Sequence, residues 1–150
     1  MKTPVLLTLM FAAATAVAAD KPNTQAETNP PQIIFGTVSQ NSNTLTPTTE
    51  VNQKDGRYCW VAVNVNAGSK ATVEEFQQTP AGGSYTAPNA SIDSNALRTQ
   101  HKINFYATRN ERGEYNHCWL YGNTDPLGDY ETTVRIGDIQ FPPIKWKLVR

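Results

Sequence analysis

The chain has 150 residues and balanced charge, 13 Lys and Arg against 13 Asp and Glu. That length fits a single domain. The basic residues are scattered singly, with no stripe to hold phosphates, which excludes nucleic acid as the natural partner and argues against electrostatic docking on an acidic membrane.

Residues 1–19 read as a secretory signal peptide. Lys2 gives a basic start, an apolar run rich in Leu and Ala covers residues 5–17, and Ala16-Val17-Ala18 is a small-residue cleavage pattern, with Val17-Ala18-Ala19 as the alternative. The run is too short for a membrane span, and no other stretch approaches that length, so an integral membrane protein is not expected. The protein is predicted to be periplasmic or secreted. Residues 20–31 are polar and carry Pro22, Pro30 and Pro31. They predict a flexible leader, either a plain tether or a docking segment. Residues 32–150 are the folded domain.

Ile33, Ile34 and Phe35 give the first strand its apolar content over residues 32–38. Asn41-Ser42-Asn43 is a turn. Residues 44–51 are Thr-rich and broken by Pro47, which fits an edge or irregular strand. Lys54-Asp55-Gly56 turns the chain into Tyr58-Cys59-Trp60-Val61, and Asn66-Ala67-Gly68 ends that strand. Residues 70–77 alternate, with Ala71, Val73 and Glu75 on one face and Thr72, Glu74 and Phe76 on the other. Residues 79–99 hold Pro80, Gly82, Gly83 and Pro88, and predict a long loop. Residues 102–108 alternate again. Asn110 to Gly113 is a hairpin turn into His117-Cys118-Trp119-Leu120. Asp125-Pro126-Leu127-Gly128 is a turn, residues 129–136 are a strand, Gly137-Asp138 a two-residue hairpin, and Ile144, Trp146 and Leu148 alternate to the end. Eight or nine short strands and no helix predict an antiparallel sandwich or barrel.

The two Cys-Trp stretches echo each other and hold the only cysteines. In an exported chain an even cysteine count reads as disulfide-bonded. Cys59, Val61, Val63 and Val65 share one strand face; Tyr58, Trp60 and Ala62 share the other. In the second stretch Asn116, Cys118 and Leu120 oppose Tyr115, His117, Trp119 and Tyr121. The cysteine faces are the less aromatic ones, so Cys59 and Cys118 are predicted to face the core and meet inside the sandwich. The bond closes a loop of roughly 60 residues, worth about 4 kcal/mol in the chain-entropy account. Two free thiols, or a soft metal site with His101 and His117, stand as alternatives. The metal site is disfavoured because the neighbours His117 and Cys118 point to opposite faces, and no metal or other cofactor is expected.

The tail resembles immunoglobulin-like β-sandwich domains of exported bacterial proteins. Cys118-Trp119-Leu120-Tyr121, then Asp125-Pro126-Leu127-Gly128-Asp129-Tyr130, then the hairpin into Ile144-Lys145-Trp146-Lys147-Leu148-Val149 carry the resemblance. It implies an antiparallel immunoglobulin-like sandwich and no particular activity. Antibody-type domains place a core tryptophan a dozen residues after the first cysteine and a tyrosine two before the second; here Trp60 directly follows Cys59, and Asn116 stands two before Cys118.

Nothing in the sequence joins a nucleophile and a carboxylate to either histidine, as triad chemistry requires. Glu74 and Glu75 face opposite ways and do not pair. Asp125 and Asp129 flank a turn without the EF-hand spacing. Gly82-Gly83 lacks the lysine of a phosphate loop. An enzyme is therefore not expected.

If the cysteines face inward, Tyr115, His117, Trp119 and Tyr121 form an outward aromatic stripe, with Tyr58 and Trp60 as a smaller one. Exposed aromatics bury large area at small entropic cost and mark binding surfaces. The alternative is that the 79–99 loop or the first strand covers them. The expected function is a non-enzymatic binding module that engages an envelope or host protein through this face and loop, with pairing at an exposed edge strand as a variant. A carbohydrate-binding module using the same aromatics is the alternative, and an enzyme with a site formed only by the fold a lesser one.

Overall fold

The computed structural model describes residues 29–39, 41–55 and 57–150. The expected export signal and residues 20–28 of the leader lie outside them. In chain order the strands are β1 (Gln32–Val38), β2 (Thr46–Pro47), β3 (Glu50–Asn52), β4 (Arg57–Val63), β5 (Lys70–Gln78), β6 (Ser91–Ser94), β7 (Gln100–Thr108), β8 (Tyr115–Leu120), β9 (Gly128–Ile136), β10 (Ile139–Gln140) and β11 (Ile144–Val149). One helical turn, Gln53–Asp55, leads into β4. The expected long loop proves to contain β6 in its second half.

A four-stranded sheet runs β2-β1-β4-β8, and a larger one runs β3-β11-β9-β5-β7-β6 with β10 beside β9. The predicted all-β sandwich is the architecture observed. Neighbouring strands are antiparallel except β3 and β11, whose ladder is parallel, Lys147 opposite Glu50 through Val149 opposite Asn52. Sequence alternation groups the faces of the larger sheet's strands as the structure does. Ala71, Val73, Glu75 and Gln77 of β5 are buried, as are Tyr130, Thr132, Val134 and Ile136 of β9 and Trp146 and Leu148 of β11. On the outer side Glu74 lies between Lys102 at 2.7 Å and Arg135 at 2.9 Å. Lys102 first and Arg135 second hold its carboxyl below the usual range.

The smaller sheet packs its inner face on these residues. Gly36 in β1 is there because a methyl group would run into the Thr46 carbonyl of β2. Asn64 ends β4 in the left-handed region, φ 59°. That single residue reverses the alternation, so Val65 is buried although Val61 and Val63 are only half-buried. The connection then crosses to β5, and the Tyr115 hydroxyl anchors it by donating to the Gly68 carbonyl.

Candidate functional site

The two Cys-Trp strands are adjacent and in register. Cys59 pairs with Cys118, Tyr58 with Trp119 and Trp60 with His117. The disulfide is present. Its place corrects the expectation: it bridges neighbouring strands of one sheet, on that sheet's outer face, with Cys118 exposed and Cys59 buried there. The aromatic stripes accordingly face inward. Tyr58, Trp60 and Tyr115 are at most 1% exposed and Trp119 is 6% exposed, while His117 and Tyr121 are half-buried. The reason is area and polarity together. An aromatic side chain buries roughly 150–250 Å², more than Cys or Val offers, and because a strand shows its faces alternately, one large residue inside brings the whole set.

The indoles also find acceptors inside. The Trp60 N–H donates to Glu75 Oε1 at 2.6 Å and the Trp119 N–H to Glu75 Oε2 at 2.8 Å. Gln77 donates its amide N–H to the same Oε2 at 2.8 Å. Gln77 Oε1 accepts from the Thr132 hydroxyl at 2.6 Å, and Thr132 accepts the Trp146 N–H at 3.0 Å. All three tryptophans of the chain thus feed one buried network. Burial pushes the Glu75 carboxyl up, and the N–H donors of Trp60, Trp119 and Gln77 pull it back. Every one of those partners is a donor, so the geometry suits the carboxylate rather than the acid.

His101 is buried, with Ser94 Oγ 2.7 Å from Nδ1 and Thr79 Oγ1 3.4 Å from Nε2. Sequence reasoning missed this Ser94 contact. Both partners are hydroxyls, so no carboxylate orients the ring, and the arrangement ties β6 and the loop to β7. Burial lowers the affinity of His101 for a proton. His117 sits against Phe105, ring centroids 4.4 Å apart, and its buried Nε2 has no partner. Burial pushes its pKa down to about 4. Among the described residues no group of three or more His, Cys, Asp or Glu could hold a metal ion.

A cleft of about 310 Å³ opens where the first half of the 79–99 loop meets the end of β8. Residues 83–88, the 117–121 stretch, Tyr58, Asp125 and Tyr130 line it. Tyr85 from the loop stands edge-on to Trp119 at 5.0 Å and to His101 at 4.9 Å. The loop therefore covers part of the stripe. Tyr58 and Tyr121 stack at 5.0 Å; the Tyr58 hydroxyl lies by that of Tyr85, and the Tyr121 hydroxyl has no hydrogen-bond partner among the described residues. Asp125 at the rim accepts the Gly122 N–H at 2.6 Å.

β8 is also a sheet edge. The Cα atoms of Cys59 and Cys118 are 4.1 Å apart, which marks them as a narrow, non-hydrogen-bonded pair. By alternation Asn116 and Leu120 occupy equivalent positions opposite Val61 and Arg57. Their backbone N–H and C=O groups, with those of Cys118, point away from β4. Among the described residues no backbone hydrogen bond from turns or loops reaches these three, all three are exposed, and Leu120 is 76% exposed. The other edge strands are short: β2 has two residues, β3 three and β6 four. β8 has six.

Residues 33–149 match the model of the PM0630 beta sandwich domain, over most of the chain. The chain belongs to the PM0630 beta sandwich domain family. Among solved structures this PM0630 domain is similar to an immunoglobulin-like protein from Pseudomonas aeruginosa, at 13% identity and TM-score 0.49, covering 82% of this chain and 99% of that one. It is also similar to a β-glucosidase from Listeria innocua solved with glucose, at 10% identity and TM-score 0.37, covering 81% of this chain and 16% of that one. No curated protein matches.

Within the PM0630 domain, sequence alternation groups Glu75 with Ala71 and Val73 on one face of β5 but gives it no task. The available signal was three tryptophans, each needing an acceptor if buried, and one carboxylate at a core position. Among the described residues no helix is long and apolar enough to cross a membrane.

Proposed function

We propose that this domain is an exported, non-enzymatic interaction module of the bacterial envelope, and that it binds an extended segment of an envelope or host protein along the edge of β8. The free edge carries this reading: three consecutive outward-facing positions, Asn116, Cys118 and Leu120, with unpaired main-chain donors and acceptors. Natural sheets shorten or block such edges unless they use them. Strand addition draws affinity from main-chain hydrogen bonds and specificity from alternate side chains. The exposed Leu120 offers an apolar contact on the outer face. The disulfide fits an oxidising compartment. Sugar stacking on the β8 aromatics is less favoured, because Trp119 and Tyr115 are turned into the core.

The test is Leu120→Pro. The Leu120 N–H points away from β4, so proline removes an outward donor and leaves the β4–β8 ladder intact. The variant, shown folded by circular dichroism, is compared with the parent in crosslinked capture from envelope extract. Loss of a captured protein supports edge pairing; undiminished capture by the folded variant rules it out.

A further inference from the structure

The cleft beside β8 has a chemistry of its own, independent of edge pairing. Its walls carry the phenols of Tyr58, Tyr85, Tyr121 and Tyr130, the imidazole of His117 and the carboxylate of Asp125, and no lysine or arginine. Two of these phenols, Tyr58 and Tyr121, are stacked side by side; the Tyr58 hydroxyl lies by that of Tyr85, and the Tyr121 hydroxyl is buried and without a partner among the described residues. A buried hydroxyl left unpaired costs on the order of 1–3 kcal/mol. The size suits a small group.

The sign of the field decides which group. Burial raises the proton affinity of Tyr58, Tyr85 and Tyr121, and the fixed charges that add to this effect are Glu75, Asp125 and Asp55, all acidic. An anion could accept from the same hydroxyls, but it would sit in a negative potential. A cation gains from that potential, from aromatic walls, and from the Tyr121 phenol oxygen, free to accept. A primary ammonium matches best, since its three N–H donors need acceptors and its alkyl stem needs an apolar wall.

We propose that the cleft binds a primary alkylammonium group, with the Tyr121 hydroxyl as acceptor and Asp125 as counter-charge. The source is a free amine or a lysine side chain; the chemistry is shared.

The experiment is a titration of the whole protein followed by amide chemical shifts and tryptophan fluorescence. The probes are n-butylammonium, N-acetyl-lysine methylamide and its neutral ε-acetylated form. Binding of either charged probe in the millimolar range or tighter, with shifts at Tyr85, Trp119 and Tyr121 and none from the acetylated probe, is the expected result. Preference between the two charged probes separates a free amine from a lysine. Asp125→Asn keeps the Gly122 cap and removes the charge, and should weaken binding about tenfold, the equivalent of 1.4 kcal/mol. Tyr121→Phe should weaken it several-fold. Equal binding of the acetylated probe, or no shift with either cation, overturns the proposal. Neither result bears on Leu120→Pro, because these probes have no strand to add.

Discussion

Trp60 and Glu75 meet across the sandwich, indole N–H to carboxylate oxygen at 2.6 Å. Trp60 follows Cys59 directly, so this one contact fixes which way the cysteine faces. With the indole held inside, Cys59 is turned outward, and Cys118 follows because the two are paired in register.

Replacing Glu75 tests that relationship. In Glu75→Gln the amide oxygen can keep the two donors at Oε2, Trp119 and Gln77, while the amide nitrogen then faces the Trp60 N–H. A loss of about 1–3 kcal/mol is expected from that unpaired donor. Thr132→Val, which breaks both the Trp146 and Gln77 links, should cost a similar amount. Urea unfolding followed by tryptophan fluorescence measures both. No change in midpoint for either variant would show that the network contributes little.

Acid should weaken the fold through His117. The unfolded imidazole takes its proton near pH 6.5, whereas the buried ring takes it at about 4. Between those values the unfolded chain holds more protons, so stability falls as the pH drops. Glu75 works the other way: its raised carboxyl favours the fold at low pH and costs stability as the pH rises above the ordinary carboxylate range. His117→Phe removes the first slope and the orphan Nε2 together. Its urea midpoint should be higher than the parent's at pH 5 and should depend less on pH between 4 and 6.5. An unchanged slope would assign the acid sensitivity elsewhere.

The bridge should open without unfolding. Cys118 is exposed on the outer face while Cys59 is buried, so mild reductant under native conditions should open the bridge and free Cys118 for alkylation, with Cys59 reacting more slowly, while the far-ultraviolet dichroism stays constant. Cys59→Ala with Cys118→Ala should cost about 4 kcal/mol, mostly through the unfolded chain, because the bridge fills no space between the sheets. Reduction only at the rate of global unfolding would contradict this placement.

Hydrogen exchange reads the edge directly. The amides of His117 and Trp119 point toward β4 and should be protected. Those of Asn116, Cys118 and Leu120 should exchange fast, giving an alternating pattern along β8. A partner segment added at this edge should slow the second set. Uniform protection in the free protein would mean the edge is already paired.

The larger sheet was readable because its strands carry one apolar face each: Val73 opposes Glu74, and Trp146 lies between Lys145 and Lys147. β4 was not, since both its faces are apolar, Cys59 and Val61 against Tyr58 and Trp60. Alternation alone cannot orient such a strand, and the residue that does, Glu75, lies on the facing sheet. The left-handed Asn64 added to the ambiguity by letting Val65 appear to extend the cysteine face. A tryptophan beside each cysteine was the legible hint, because two neighbours on a strand cannot both face the core. The edge position of β8, and with it the cleft, depends on strand order, which no local pattern records.

β3 is held in the larger sheet only by β11, nearly a hundred residues later in the chain, and β11 is in turn flanked by β9. A chain emerging N-terminus first can assemble β1, β2, β4 and β8 and bring Cys59 to Cys118 before β11 exists. It cannot complete the facing sheet until Val149 has emerged. In an oxidising compartment the two thiols can therefore pair on an open, half-built sandwich, before the core is closed.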